Sequence, residues 1–229
     1  MASSKDYTAQ KPVPWSRRKR LLALSAEEKV RVYTYQHRDA LTEARARGYF
    51  TGSHDFVAHG VSGAGLEQEY TPCYDWMRDQ MRKRLVNFSG DYPVWAYLKR
   101  PSARSFVPQS WDNPVRITAL VPRRRLLISD FDLWHSVMGG WPISLTEEEF
   151  KSWEPVWTPG EPVPGAETTW ERVFDLSPRP PDQHAWVKQP NWLQACVDRI
   201  YLDDIVDVRT MTSPPKDRLE KSPGGLGGS

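Results

Sequence analysis

Hydrophobic and polar residues along this chain alternate with two different periods, which predict where strands and helices lie. Runs rich in β-branched and aromatic residues predict strands over residues 30–36, 91–98, 115–121, 126–129, 192–201 and 205–209. Apolar residues at helical spacing predict helices over residues 37–47, 74–85, 131–138 and 146–153, and Gly48 ends the first of them. The turn Pro122-Arg123 between two of the strands predicts a hairpin over residues 115–129.

The order of these elements favours one α+β domain with a largely antiparallel sheet and flanking helices, because strands and helices do not alternate regularly. We place this domain at residues 28–211. A flexible basic arm over residues 1–27 is expected before it, and a disordered tail over residues 212–229, rich in proline, glycine, serine and charge, after it. The run Arg17-Arg18-Lys19-Arg20 in the arm is either a solvated terminal segment or a contact for an anionic partner such as nucleic acid.

Composition narrows the class of protein. A chain of 229 residues can bury a core without disulfide or metal staples, and its formal charge of +2 is too small to indicate nucleic-acid binding by itself. Cys73 and Cys196 are the only cysteines and lack metal-site spacing, so we expect a reducing, cytoplasmic environment. No apolar run approaches the roughly 20 residues of a membrane span, so no membrane association is expected. Eleven tryptophans are unusual, and most are expected in the core.

The segment Leu126 to His135 holds the densest group of reactive side chains. Asp130 and Asp132 are two residues apart, and His135 is three further on. Such a set can hold a general base or ligate a divalent metal. It can equally be structural, because Asp130 would make a good helix N-cap and Asp132 would lie in the first turn.

Polar residues on the first and last strands of the sheet are a second candidate. Thr34 and Gln36 share one face of their strand, and so do Trp192 and Gln194, because side chains alternate along a strand. Side chains of this kind can line a ligand pocket in a split sheet, or they form the solvent face of half-buried strands.

Two further groups of residues are weaker candidates. His54, Asp55 and His59 lie in a glycine-containing segment over residues 51–65, where they are loop ligands or solvated side chains. The aromatic strand with Trp95 can stack a flat ring such as a nucleobase, or belongs to the core. The chain lacks the Gly-x-Ser-x-Gly, phosphate-loop and dinucleotide-binding glycine motifs.

Several segments resemble a bacterial family of uncharacterised domains and match it in order. They are Tyr33-Thr34-Tyr35-Gln36, Tyr74-Asp75-Trp76-Met77, Tyr92-Pro93-Val94-Trp95-Ala96, Leu127-Ile128-Ser129-Asp130-Phe131-Asp132-Leu133-Trp134-His135 and Trp192-Leu193-Gln194-Ala195. The central segment is the most specific of them. This resemblance implies a shared fold and no particular activity.

The first strand and helix ending at Gly48, and the last pair of strands, also resemble ADP-ribosyltransferase-type domains. That resemblance implies a split, mostly antiparallel sheet with NAD in the cleft between its halves. Thr34 stands where many members place Arg or His on the first strand, and Gln194 stands at the position of their late catalytic glutamate. Glutamine can hydrogen-bond a ribose but cannot act as a general base, so Asp130 or Asp132 would have to supply the acid.

Three interpretations follow. In the first, the chain is an ADP-ribosyltransferase-like protein that uses NAD and transfers ADP-ribose to an unknown protein or nucleic-acid acceptor. Thr34, Gln36 and Gln194 would then line the pocket with Trp95 or Trp192 stacked on a ring of NAD, and Asp130, Asp132 and His135 would supply polar chemistry. In the second, the same scaffold is a non-enzymatic binding or interaction domain. In the third, the Asp130, Asp132 and His135 group serves a different hydrolase or a metal enzyme.

Overall fold

The computed structural model describes residues 15–52, 67–100, 114–179 and 192–211 of the chain. Its helices are α1 (Trp15–Leu22), α2 (Arg38–Arg47), α3 (Glu67–Arg84), α4 (Phe131–Met138) and α5 (Glu147–Trp153). Its strands are β1 (Lys29–Gln36), β2 (Tyr49–Thr51), β3 (Val94–Tyr97), β4 (Val115–Pro122), β5 (Leu127–Asp130), β6 (Leu193–Val197), β7 (Arg199–Tyr201) and β8 (Ile205–Thr210). Short 3-10 helices cover Arg123–Arg125, Glu154–Val156, Ala166–Phe174 and Leu202–Asp204.

Six strands form one sheet in the order β5-β6-β3-β1-β4-β8, and β2 and β7 form a separate pair. Each of these pairings is antiparallel, which confirms the α+β class with a mostly antiparallel sheet. The predicted hairpin over residues 115–129 is wrong. The 3-10 turn Arg123–Arg125 leads the chain away from β4, so β4 pairs with β1 and β8 while β5 pairs with β6 at the far end of the sheet.

The sheet buries two hydrophobic cores, one on each face. Alternation along β1 places Val30 and Val32 in the first core, while Lys29 and Arg31 point to the other side and are exposed. Helix α2 adds Leu41 to the first core. Helices α3 and α4 cover the second face over β3, β5 and β6, where they bury a cluster rich in methionine and aromatic side chains.

The shortest strand pairing in the six-stranded sheet is the one between β1 and β3. Strand β1 is paired with β4 at eight successive positions, Lys29 to Gln36, but with β3 only where Tyr33 lies opposite Tyr97. The Lys29 to Val32 part of β1 therefore has no partner strand on that side among the described residues. This divides the sheet into β5-β6-β3 and β1-β4-β8.

The structure corrects three other expectations. Residues 15–22 of the expected flexible arm form α1, because the apolar residues Leu21 and Leu24 pack against the first core. The expected strand over residues 192–201 is two strands, and the second leaves the large sheet to pair with β2, which was not predicted. The predicted helix over residues 74–85 extends back to Glu67 despite Pro72.

Candidate functional site

A cavity of about 740 Å³ lies at the gap between the two halves of the sheet. Consecutive residues of β1, Lys29, Val30 and Arg31, line it together with Tyr33. Neighbouring residues of a strand point to opposite faces, so a groove on one face would contact only alternate residues. The cavity therefore faces the edge of β1 and occupies the break in the sheet. Helix α1, the chain after β3 and Leu193 of β6 line its other sides.

The lining of this gap cavity is strongly basic. Its five cationic side chains come from α1, β1 and the residue that follows Leu98, and they are Arg17, Arg20, Lys29, Arg31 and Lys99. Glu28 is the one acidic residue in the lining, and its carboxylate accepts a hydrogen bond from the Ser25 backbone N–H at 2.6 Å. Tyr33 and four leucines supply the flat and apolar surface, the leucines being Leu21, Leu24, Leu98 and Leu193. An anionic ligand with apolar rings fits this combination.

Gln194 lies in a polar row beside the gap. The registers place Ser129, Gln194, Tyr97 and Tyr33 opposite one another on β5, β6, β3 and β1, so all four side chains share one face. Gln194 and Ser129 are buried, and Gln194 Nε2 donates a hydrogen bond to Ser129 Oγ at 3.3 Å. Adjacent strands are about 4.8 Å apart, so Gln194 lies about 10 Å from Tyr33 at the cavity.

Thr34 and Gln36 do not join this row. They follow Tyr33 on β1 at even-numbered positions and therefore point to the opposite face of the sheet. Gln36 Nε2 donates to Thr34 Oγ1 at 2.8 Å, and Thr34 is 2% exposed. The structure thus brings Thr34 and Gln36 together but separates both from Gln194, and Tyr33 is the residue of β1 that shares the face of Gln194.

The two tryptophans proposed to stack on NAD have different surroundings. The Trp95 ring lies 4.7 Å from the Trp134 ring between centroids and also contacts Tyr74, in the second core. Its side chain has the packing expected of a core residue. Trp192 is half-buried two residues before Gln194, and its ring lies 5.9 Å from Phe131, which in turn contacts Tyr97.

Asp130 caps helix α4. Its Oδ1 accepts hydrogen bonds from the backbone N–H groups of Asp132 at 2.9 Å and Leu133 at 3.3 Å, while Oδ2 accepts from Arg179 Nη2 at 3.0 Å. The capping role considered from the sequence is therefore confirmed. The carboxyl is 1% exposed, and this burial raises its pKa to about 6 against the opposing charge of Arg179. A raised pKa suits proton transfer, but the enclosed position keeps this carboxyl from solvent, and its catalytic role stays a prediction.

Asp130, Asp132 and His135 do not meet at one accessible point. His135 is exposed, and its Nδ1 lies 2.9 Å from the Phe131 carbonyl oxygen of its own helix. Asp132 is half-buried in the first turn, where it complements the helix dipole. Within the described ranges, no group of three or more His, Cys, Asp or Glu residues is placed to hold a metal ion. His54, Asp55 and His59 lie outside the described residues.

The cationic lining is what sequence reasoning missed. The sequence offers the basic run of α1 as a contact for an anionic partner, but Lys29 and Arg31 of β1 are not among the predicted site residues. One signal was available. Charged residues alternating with valines at the start of a strand indicate one side that cannot enter a hydrophobic core.

Comparison with known proteins places the chain in a family. The family model described as Domain of unknown function (DUF3841) matches residues 31–157, more than half of the 229 residues, and the chain belongs to this family. The expected membership of an uncharacterised family is thus confirmed. No curated protein and no solved structure matches the chain. None of the helices in the described part of the chain is long and apolar enough to cross a membrane.

Proposed function

We propose that this domain binds NAD in the gap cavity between β1 and β3, as an ADP-ribosyltransferase-like protein. The observation that supports this most directly is the lining of the cavity by consecutive residues of β1, since it identifies a break in the sheet rather than a surface groove. The resemblance to ADP-ribosyltransferase-type domains implies NAD in a cleft at such a break.

The charges of the cavity suit the pyrophosphate of NAD. This group carries two negative charges, and the guanidinium groups of Arg17, Arg20 and Arg31 can bind phosphate oxygens in bidentate fashion. Lys29 and Lys99 add two point charges. The edge of β1 from Lys29 to Val32, which has no partner strand in the part of the chain that the structure describes, contributes backbone N–H groups that are also donors for phosphate oxygens.

The apolar part of the cavity suits the rings. Tyr33 offers an aromatic face at the end of the cavity nearest the row of Gln194, and Leu21, Leu24 and Leu98 offer flat apolar contacts. The volume of about 740 Å³ lies within the range of pockets that enclose a ligand of this size. An adenine or nicotinamide ring could therefore be buried while the pyrophosphate contacts the cations.

The described residues favour binding of NAD without transfer of ADP-ribose. Breaking the bond between ribose and nicotinamide develops positive charge on the sugar, which a carboxylate stabilises and an amide does not. The row beside the cavity consists of Ser129, Gln194, Tyr97 and Tyr33, and all four are neutral. Asp130 is committed to its cap and to Arg179, and Glu28, the acidic residue of the lining, accepts the Ser25 backbone N–H.

The test combines binding and turnover in the same samples of the full chain. We expect NAD to raise the melting temperature and to bind in calorimetry with an affinity that falls as salt rises, without release of nicotinamide. A melting shift accompanied by release would identify an NAD-consuming transferase and overturn binding without transfer. No melting shift and no heat of binding would overturn the NAD site itself.

Matched variants locate the site. Arg31→Gln removes a cation from the cavity, whereas Arg45→Gln removes an exposed cation of α2 that is outside the cavity lining. We expect Arg31→Gln to weaken NAD binding about tenfold, since a charge-assisted contact contributes about 1.5 kcal/mol, and Arg45→Gln to leave binding unchanged. Equal effects of the two variants would mean that NAD binds by general charge attraction or elsewhere on the protein.

A further inference from the structure

A second pocket, of about 420 Å³, lies on the helical side of the protein between α4 and α5. It shares no lining residue with the gap cavity. Its walls are aromatic side chains from three parts of the chain, namely Trp141, Phe150, Trp153 and Trp157. Phe150 and Trp157 stand at 80° to each other with ring centroids 5.7 Å apart, which gives the pocket two adjoining walls at nearly a right angle.

The aromatic walls have rigid support. Ile143 and Val163, both buried, form the floor. The turn before Trp141 is held by a hydrogen bond from the Val163 backbone N–H to the Gly140 carbonyl at 2.8 Å. Gly140 has φ +66°, and a Cβ atom there would lie 2.6 Å from the Cβ of Pro162, so only glycine allows this close approach. The Trp141 carbonyl also accepts a hydrogen bond from Trp170 Nε1 at 2.9 Å.

The two outer rings are exposed although their supports are buried. Trp141 and Trp157 are each 44% exposed, far more than tryptophans that fill a core. Ser144 lies 7% exposed in the lining, and its Oγ has no hydrogen-bond partner among the described residues. A buried hydroxyl without a partner is costly, and its oxygen presents the negative end of a dipole to a cation in the pocket.

The charges around the pocket are negative. Residues 146–161 contain five glutamates and one lysine, and Lys151 is paired with Glu147 at 2.6 Å. Glu149 is paired with Arg172. Glu148, Glu154 and Glu161 remain as exposed negative charges on the segments that form the walls. An anionic or neutral sugar ligand would gain nothing from this field, whereas a cation would.

We propose that this pocket binds a quaternary ammonium group. The negative faces of aromatic rings attract a cation, tryptophan most strongly, and several rings together with acidic surroundings favour a methylated ammonium that is easily desolvated. The group can come from a free compound of the choline class or from a trimethylated lysine of a protein. Both sources present the same chemistry to the rings, and the first contact is with Trp141 and Trp157 at the mouth.

The test uses pairs of ligands that differ only in charge. Choline is compared with 3,3-dimethylbutanol, in which carbon replaces the nitrogen, and N-acetyl-trimethyllysine amide is compared with its carbon isostere. Binding to the full chain is followed by calorimetry and by the indole N–H signals in NMR. We expect each cation to bind about tenfold more tightly than its neutral isostere, which is the contribution of a desolvated cation–π contact. The tighter of the two cations identifies the source.

Variants distinguish binding in this pocket from binding near other exposed aromatic side chains. Trp157→Leu should weaken binding of the cation about tenfold. The affinity of Trp157→Phe should lie between those of the parent chain and Trp157→Leu, because phenylalanine attracts cations less strongly than tryptophan. Tyr201→Leu removes an aromatic ring of similar exposure, 43%, on β7, and should leave the affinity unchanged. Equal binding of cation and isostere would show an apolar pocket only and overturn the proposal. Absence of binding by both cations, with indole signals unmoved, would also overturn it.

Discussion

Replacement of Glu149 by glutamine tests what holds α5 against the rest of the domain. Arg172 donates to both carboxylate oxygens of Glu149, at 2.6 and 2.9 Å, and the same guanidinium donates to the Ile143 carbonyl at 2.6 Å. Glu149 Oε2 also accepts the Leu145 backbone N–H at 2.7 Å. One carboxylate thus joins α5, the chain before it and the 3-10 helix Ala166–Phe174.

The expected loss follows from these contacts. Glutamine keeps one carbonyl oxygen but loses the charge and the second acceptor, so one charge-assisted bond disappears and the other weakens. Such bonds contribute about 1.5 to 3 kcal/mol each when buried. The side chains of Arg172 and Glu149 are 32% and 37% exposed, so solvent screening reduces the total. We expect Glu149→Gln to lower the free energy of unfolding by about 2 kcal/mol and the melting temperature by about 6 °C.

Glu147→Gln is the matched control, because it makes the same chemical change two residues earlier in the same helix. Glu147 pairs with Lys151 at 2.6 Å, but the two side chains are 52% and 61% exposed. An exposed pair of this spacing contributes about 0.5 kcal/mol or less. Urea unfolding of both variants and the parent chain measures the difference. Equal losses for the two substitutions would refute the bridging role of Glu149.

The same pair gives an expected pH dependence. Hydrogen bonding to Arg172 is the main cause that lowers the pKa of the folded Glu149 carboxyl below its ordinary value of 4.5. The unfolded chain therefore binds this proton more readily, and the pair contributes stability that is present above pH 4.5 and lost as the pH falls. We expect the deficit of Glu149→Gln to shrink in acid. A deficit that is constant from pH 7 down to the acid transition would contradict this explanation.

Three other outcomes are expected. Burial raises the pKa of folded Asp130 to about 6, so this carboxyl contributes stability below about pH 4 that is lost as the pH rises through 6. The free energy of unfolding of the parent chain should therefore fall by about 3 kcal/mol from pH 4 to 7, and that of Asp130→Asn should not show this fall. Burial raises the pKa of Cys73 to about 12 and that of Cys196 well above its usual range, so a thiol reagent should label both only after unfolding. Gly52→Ala should cost about 1 to 3 kcal/mol in urea unfolding, because its Cβ would lie 2.6 Å from the Pro93 carbonyl oxygen.

The elements that the sequence predicted well are those whose signals are local. The helix predicted over residues 131–138 is α4 with the same bounds, since its cap residue and its apolar positions lie within one segment. The helix predicted over residues 146–153 corresponds to α5 with Thr146 as its N-cap, whose side chain accepts the Glu149 backbone N–H at 3.2 Å. The hairpin failed because turn residues between two strands do not determine which strands pair. Strands β4 and β5 are separated by three others in the sheet.

The candidate site depends on which distant strands pair, and local sequence signals do not determine this. Gln194 was identified from the sequence, but its neighbours in the polar row, Tyr97 and Tyr33, are set by two registers between distant strands. A shift of one residue in either register would turn those side chains to the other face. The prediction of Thr34 rests on its shared strand face with Gln36 and on the position that the resemblance to ADP-ribosyltransferase-type domains gives it. At a break in a sheet, however, the strand edge itself lines the cavity, and residues of both faces contribute to the lining. Lys29, Val30 and Arg31 are consecutive for this reason. The alternation of charged residues with valines indicates that Lys29 and Arg31 lie outside the core, but it does not select Val30 as part of the lining.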